Sequence, residues 1–309
     1  MRYAFVCVIA ACSAAPDLSS PDARPDAGAP YVVSAPTVLA AIARPSRSVV
    51  ADRDAVYWIE RDATRADFAI RRYDLRSGET STLAEPTGSP SQLMLLGDGL
   101  FWVDVRGDER SAIERTSTHG GGWFVVGALP GVYAVAGYGD HIYWVAAGGV
   151  WSARADGTER ERLDDAGAPA SAITADNGRV AWVAGDGTWW IDRFGGPRTK
   201  IADTTNGDVA LDFETLYVVD RDAHRANAYA FPSGTTSELA TSSPPARVVA
   251  AGGTAYVAED GAIEAFTAGA PRTIAAARDA FAIALTPDAV FYAELPTPTD
   301  AGAIWAAPR

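Results

Sequence analysis

The feature that most limits how this chain can fold is a short triplet that returns seven times. An aliphatic or small residue, then usually an aromatic, then a bulky residue occurs at Val56-Tyr57-Trp58, Leu100-Phe101-Trp102, Ile142-Tyr143-Trp144, Val180-Ala181-Trp182, Leu216-Tyr217-Val218, Ala255-Tyr256-Val257 and Val290-Phe291-Tyr292. Their third positions lie 44, 42, 38, 36, 39 and 35 residues apart. Ahead of each triplet stands a run of small and aliphatic residues: Val49-Val50-Ala51, Leu93-Met94-Leu95, Ala134-Val135-Ala136, Ile173-Thr174-Ala175, Val209-Ala210-Leu211, Val248-Val249-Ala250 and Ile283-Ala284-Leu285. Turns rich in Asp and Gly, such as Asp52-Arg53-Asp54, Gly97-Asp98-Gly99 and Gly139-Asp140, join run to triplet, which is the chemistry of tight hairpins. After the triplet comes a third apolar position (Ile70, Ile113, Trp151, Trp189, Ile263, Ile304), then a Gly-containing turn and a last strand such as Thr80 to Ala84, Arg198 to Ala202 or Pro271 to Ala275.

Four strands per unit and a period near 40 residues predict an all-β protein, a β-propeller with one four-stranded sheet per blade. No stretch longer than about ten residues shows helical spacing. The seventh unit runs through three strands and stops at Arg309, while an apolar segment near the start, Thr37 to Ala43, belongs to no unit. Placed as the outer strand of the last blade, that segment closes the ring and removes an unpaired edge. The arithmetic predicts seven blades, with six as the alternative if the first or last copy is irregular. A chain of 309 residues, 48% hydrophobic, has the size and composition to fill such a core.

The third unit, Ile142 to Leu163, resembles a YWTD repeat of the kind found in lipoprotein-receptor propellers and related bacterial proteins. That motif carries an acid two places after its Trp. Here the position holds Glu60, Asp104, Ala146, Ala184, Asp220, Glu259 and Glu294, acidic in five of seven, while the threonine position is never Thr. The downstream element survives in pieces: Ile70 with Arg72 and Leu75, Ile113 with Arg115 and Gly120, and Asp156-Gly157. This degenerate resemblance covers roughly residues 47 to 309 and implies the propeller. Propellers serve binding, scaffolding and catalysis alike, so it implies no single function.

The first residues read as an address. Arg2 precedes a nine-residue apolar run, Tyr3 to Ala11, too short to span a bilayer as a helix. The run ends in Ile9-Ala10-Ala11-Cys12, which resembles the bacterial lipobox. The resemblance implies that Cys12 is acylated and becomes the new N-terminus, and that Ser13 permits outer-membrane sorting in a Gram-negative host. Cleavage after Ala15 with plain secretion is the rival reading, and Pro16 makes it unattractive. Cys7 and Cys12 are the two cysteines, so no disulfide is expected in the folded domain. Ser13 to Pro30 is dominated by Pro, Asp, Ser and Ala and has no apolar periodicity. The expected organisation is a signal peptide over 1–11, a flexible tether over 12–32 and the propeller over 33–309.

A net charge of −13 excludes nucleic acid as the expected partner, because phosphate binding needs clustered Lys and Arg. Trp58, Trp102 and Trp144 present aromatics for a glycan, but their identical place in the unit assigns them to packing between blades. Trp189 and Trp190 are neighbours on a strand and must point to opposite faces, so their packing is expected to differ. Asp52-Arg53-Asp54, Asp220-Arg221-Asp222 and Glu259-Asp260 offer oxygens, yet without calcium-loop spacing they read as solvated turns. His119, His141 and His224 fall in different units near turns. The strands nearest the axis carry mostly Val, Ala, Leu and Ile, and no nucleophile elbow, phosphate loop or zinc spacing is present. No catalytic residue, metal or cofactor is assigned. The expectation is a monomeric cell-envelope lipoprotein, held to the membrane through Cys12 and facing the periplasm or the outer membrane if the host is Gram-negative. It acts as a non-catalytic binding or scaffold propeller for a protein, peptide or glycan. The alternative is a propeller-type envelope enzyme of the lyase, lactonase or cyclotransferase class.

Overall fold

The computed structural model describes residues 31–42, 48–61, 67–106, 110–165, 169–267, 271–295 and 301–309. Among them the chain forms seven four-stranded antiparallel sheets and no α-helix. The inner strands of blades 1 to 7 are Val49–Ala51, Ser89–Leu96, Ala134–Tyr138, Ala170–Ala175, Gly207–Asp212, Pro245–Ala251 and Ala280–Leu285. The second strands carry the recurring triplets: Ala55–Arg61, Gly99–Arg106, His141–Ala146, Arg179–Ala184, Thr215–Asp220, Thr254–Glu259 and Ala289–Glu294. Each inner strand touches those of the blades before and after it, and the first touches the last, which makes the seven sheets a ring.

The ring closes where the repeat count required. Thr37–Ile42 pairs antiparallel with Gly302–Pro308, with Thr37 opposite Ala306 and Ile42 opposite Gly302. The last blade is therefore Ala280–Leu285, Ala289–Glu294, Gly302–Pro308 and then this N-terminal strand. The blade number is seven, not six. Val33 is buried, and Tyr31 packs partly on the same core. Cys12 and the rest of residues 1–30 lie outside the described residues.

Each sheet is sandwiched between two others, so its second strand is buried on both faces. The central triplet residue faces the next blade and the third faces the previous one. Tyr143 of blade 3 shares a core cluster with Trp182 of blade 4, and Phe101 of blade 2 shares one with Trp144 of blade 3. Tyr217 of blade 5 likewise meets Val257 of blade 6. Trp58, Trp102, Trp144 and Trp182 are each no more than 1% exposed, which leaves no aromatic platform for a glycan there. Between blades 4 and 5 the triplets supply Ala181, Leu216 and Val218 but no aromatic, and Trp190, Tyr229 and Phe231 fill the gap. Trp190 meets Phe231 edge-on at 5.2 Å, while Trp189 turns the other way into the cluster of blades 3 and 4. The adjacent tryptophans thus serve two different blade interfaces.

Inner strands are sheet edges, and side chains of neighbouring blades cover their free N–H groups. Leu93 N–H donates to Ser48 Oγ at 2.8 Å, Val135 N–H to Gln92 Oε1 at 2.9 Å and Val248 N–H to Asp208 Oδ2 at 3.1 Å. The three acceptors hold one register position, each just before the residue paired with the triplet's last member. A bulge at Gln92, where φ is +48°, turns its side chain to that task. Replacing Trp144 with Ala is expected to cost about 3–5 kcal/mol of unfolding free energy, as for other buried large-to-small changes. Half-buried Trp190→Ala is expected to cost about 1–2 kcal/mol on the same reasoning. Chemical denaturation of the full chain checks both, and equal losses would contradict the packing order.

Candidate functional site

The strand order gives the ring two unlike rims. The hairpin rim carries the turns between inner and second strands and between third and outer strands. The crossover rim carries the turns between second and third strands and the segments that pass from one blade to the next.

On the crossover rim, three of the five acids two places after a triplet's last residue hold the incoming segments, while Glu60 and Asp104 pair with arginines. Asp220 Oδ2 accepts from the Thr204 hydroxyl at 2.8 Å. Glu259 Oε2 accepts the N–H groups of Ser242 and Ser243, both at 2.9 Å, and Glu294 Oε1 accepts Arg278 N–H at 2.9 Å. Where the position is Ala146 or Ala184, backbone bonds do the work instead: Ala147 N–H to Gly131 O and Gly185 N–H to Pro169 O, both at 3.1 Å. This is what the acidic position of the repeat does in this chain. It also corrects the reading of Glu259 as a solvated turn residue, since the side chain is buried and the serines replace its water.

Between blades 1 and 2 the crossover rim opens into a cavity of about 450 Å³. Glu60, Asp67, Phe68, Arg71, Glu85 and Thr87 are among its lining residues. Arg71 donates to Glu60 at 2.7 Å and to the Thr82 hydroxyl, so the one lining arginine is held in place. Gly88 forms the far wall, where a Cβ would sit 2.6 Å from Asp104 Oδ1. Behind that wall Asp104 and Glu114, both fully buried, flank Arg106. The Arg106–Asp104 bond is 3.0 Å, and the Arg106 side chain is 39% exposed. Burial, and then the Asp104 charge, push the Glu114 carboxyl above its usual range. A similar pair lies in blade 6, where Ser242 Oγ sits between Glu259 and Glu264 at 3.0 and 3.1 Å and its one proton is shared between the two carboxyls. Burial raises Glu259 against the lowering hydrogen bonds from Ser243 and Ser242.

The axis is more polar than its aliphatic strands imply. Asp208 is buried, and burial raises its carboxyl against the charges of Arg247 and Arg221. Arg221 Nε donates to Ala246 O at 2.9 Å, and the Arg247 guanidinium lies 5.2 Å from the Phe281 ring centroid. Sequence reading missed Asp208 and Arg247 because each stands alone beside an apolar run, and it took Arg221 only as part of an acidic turn. Ser48 and Gln92, a residue ahead of such runs, were missed likewise, and only the ring shows what they reach.

Other sequence candidates stay apart. Asp52 Oδ1 caps the N–H groups of Asp54 and Ala55, and its Oδ2 accepts from the Tyr57 hydroxyl, so this acidic turn is a turn. Asp220 Oδ1 likewise caps Asp222 and Ala223. His141 pairs with Asp140 at 2.6 Å and stacks on Tyr143, His119 meets the Thr118 hydroxyl, and His224 is exposed. Among the described residues no three His, Cys, Asp or Glu side chains gather as a metal site.

No protein-family profile and no curated protein sequence matches the chain. Solved structures do. A chain of a nidogen/laminin complex is similar at 21% identity and a TM-score of 0.52, over 64% of this chain and 86% of that one. PorZ, described as an essential bacterial surface component of the type-IX secretion system of Porphyromonas gingivalis, matches at 13% identity with a TM-score of 0.61. That match covers 87% of this chain and 39% of PorZ. Oligogalacturonate lyase from Vibrio parahaemolyticus matches at 10% identity and a TM-score of 0.65, over 88% and 93%. At such identities the likeness is one of fold. The chain is a seven-bladed propeller.

Arg106→Ala strands two buried carboxylates beside each other. It is expected to cost about 2–3 kcal/mol at neutral pH, below the usual loss for a buried pair because Arg106 is partly exposed. A Glu259→Gln variant tests the raised carboxyl. A folded-state value above the ordinary 4.5 gives stability that is fully present below 4.5 and is lost as pH rises through the folded value. Thermal melts should therefore show the wild type gaining more than the variant on acidification from neutral toward 4.5, and parallel profiles would contradict the assignment.

Proposed function

We propose that this protein is a cell-envelope lipoprotein, attached through Cys12, whose crossover rim binds a protein, peptide or glycan partner without performing chemistry on it. The observation that carries the reading is the cavity between blades 1 and 2. Its carboxylates (Glu60, Asp67, Glu85) and hydroxyls (Thr82, Thr87) surround an arginine already paired, so the lining offers mainly acceptors. Such a surface suits donor-rich groups: the hydroxyls of a glycan or the basic side chains of a peptide. The strongest polar groups nearby are engaged in holding the scaffold. Asp104 and Glu114 bind Arg106, and Asp220, Glu259 and Glu294 fix crossovers. The export address and the acylated cysteine that the lipobox resemblance implies support an envelope location for the rim.

A photo-crosslinking residue at Thr87, introduced into the full chain in intact envelopes, tests this. The expected result is a discrete adduct that is lost when Asp67 and Glu85 are both changed to Lys. An adduct formed from His119 on the hairpin rim, with none from Thr87, would contradict it. Cleavage of a polyuronate or lactone panel by the purified protein would favour the enzyme alternative instead.

A further inference from the structure

The large apolar side chains left exposed among the described residues are Val32, Val38, Phe124, Val125, Phe194 and Phe213. Phe194 and Phe213 stand in hairpin-rim turns and Phe124 begins an outer strand from that side, whereas Val125 and Val38 lie farther down their outer strands, opposite Glu114 and Trp305. Phe213 sits in the turn between inner and second strands of blade 5, and Phe194 in the turn between third and outer strands of blade 4. Phe124 and Val125 open the outer strand of blade 2. Val38 is the second residue of the closing strand, and Val32 lies upstream beside Tyr31, which packs on the same core cluster as Tyr73 of blade 1. Exposed phenylalanines thus stand toward one face of the ring at two places, blade 2 and blades 4–5.

Both phenylalanines at blades 4–5 stand where the sister turns carry Gly or small polar residues. Phe213 has φ +52°, at the position that Gly97, Gly139 and Gly252 occupy with φ of +60°, +65° and +64° in blades 2, 3 and 6. A bulky side chain there carries strain of roughly 1–2 kcal/mol. At 70% exposed it gains no packing in return. Phe194 precedes Gly195 in its turn, where the sister turns have Ser77, His119, Asp156 and Ser233 before Gly78, Gly120, Gly157 and Gly234. Arg179 Nη1 holds the Phe213 carbonyl at 3.1 Å, and the Arg193 guanidinium lies 4.5 Å from the Phe194 ring centroid.

We infer that the hairpin rim is a lipid-contact face, with Phe194, Phe213 and Phe124 entering the headgroup region of a zwitterionic bilayer and the crossover rim turned away from it. Phenylalanines at two separated places, blade 2 and blades 4–5, fit a flat surface better than the single patch that one protein partner covers. Arginines beside interfacial aromatics suit the phosphates of that layer. A net charge of −13 disfavours an anionic surface. The chain also enters from this side: Thr37 pairs near the hairpin end of Gly302–Pro308, and Cys12 lies 31 − 12 = 19 residues before Tyr31. That segment reaches at most about 60–70 Å. The inference rests on the lipid anchor proposed above, which supplies the affinity while the phenylalanines supply orientation.

The test uses the full chain, acylated at Cys12, in phosphatidylcholine vesicles. Single cysteines replace Phe194, Phe213 or Phe124, with exposed Ala147 on the crossover rim as the control. Each carries a polarity-sensitive dye. The expected result is a blue shift at the three rim positions and loss of most of their emission with brominated lipid, with neither at Ala147. A lipidated protein, verified by the mass of its N-terminal peptide, whose rim labels stay unshifted overturns the inference alone and leaves the rim to a protein partner. Equal quenching at Ala147 overturns it as well. A Cys12 without lipid removes the anchor reading, and the inference with it.

Discussion

The pairing of Thr37–Ile42 with Gly302–Pro308 is the interaction on which the rest of the molecule depends. Without it the last blade would have three strands and an open edge, an invitation to pair with another chain. With it, each of the seven sheets has four strands. The consequence reaches well beyond blade 7. A propeller blade has no buried face of its own, and each face is dry only because a neighbour covers it. A ring that opened at one blade would expose Phe291 of blade 7 and Trp58 of blade 1 together, since both lie in the same cluster.

Much of this was legible in the sequence because propeller geometry repeats itself in residue types. The triplets fall on second strands, the aliphatic runs on inner strands, and the orphan segment on the closing edge. What the sequence hid were pairings across strands or blades. Nothing at Asp104 or Glu114 alone says that Arg106 lies between them, because the three meet only through the register of the second and third strands of blade 2. Gln92 reaches Val135 only because a bulge turns it. Glu259 looked like a turn acid because acid and glycine are what turns use, yet two serines from the previous crossover cover it.

The two rims divide the labour of the surface. The crossover rim holds the engaged acids and the cavity, and its polar groups are tied to segments linking blades. The hairpin rim is built from short turns, some capped by their own side chains such as Asp52, and there the exposed phenylalanines stand. A propeller tolerates this because turn composition on one rim hardly affects packing between sheets. The binding proposed for one rim and the membrane contact proposed for the other would not compete.

The central claim is that the closing strand makes the ring one cooperative unit, and amide hydrogen exchange under native conditions tests it most directly. Amides bonded between Thr37–Ile42 and Gly302–Pro308 should exchange with the same free energy as those of the inner strand of blade 4, Ala170–Ala175, on the opposite side of the ring. If the closing pair exchanged far faster while blade 4 stayed protected, the N-terminal strand would be an ornament on a ring that holds without it.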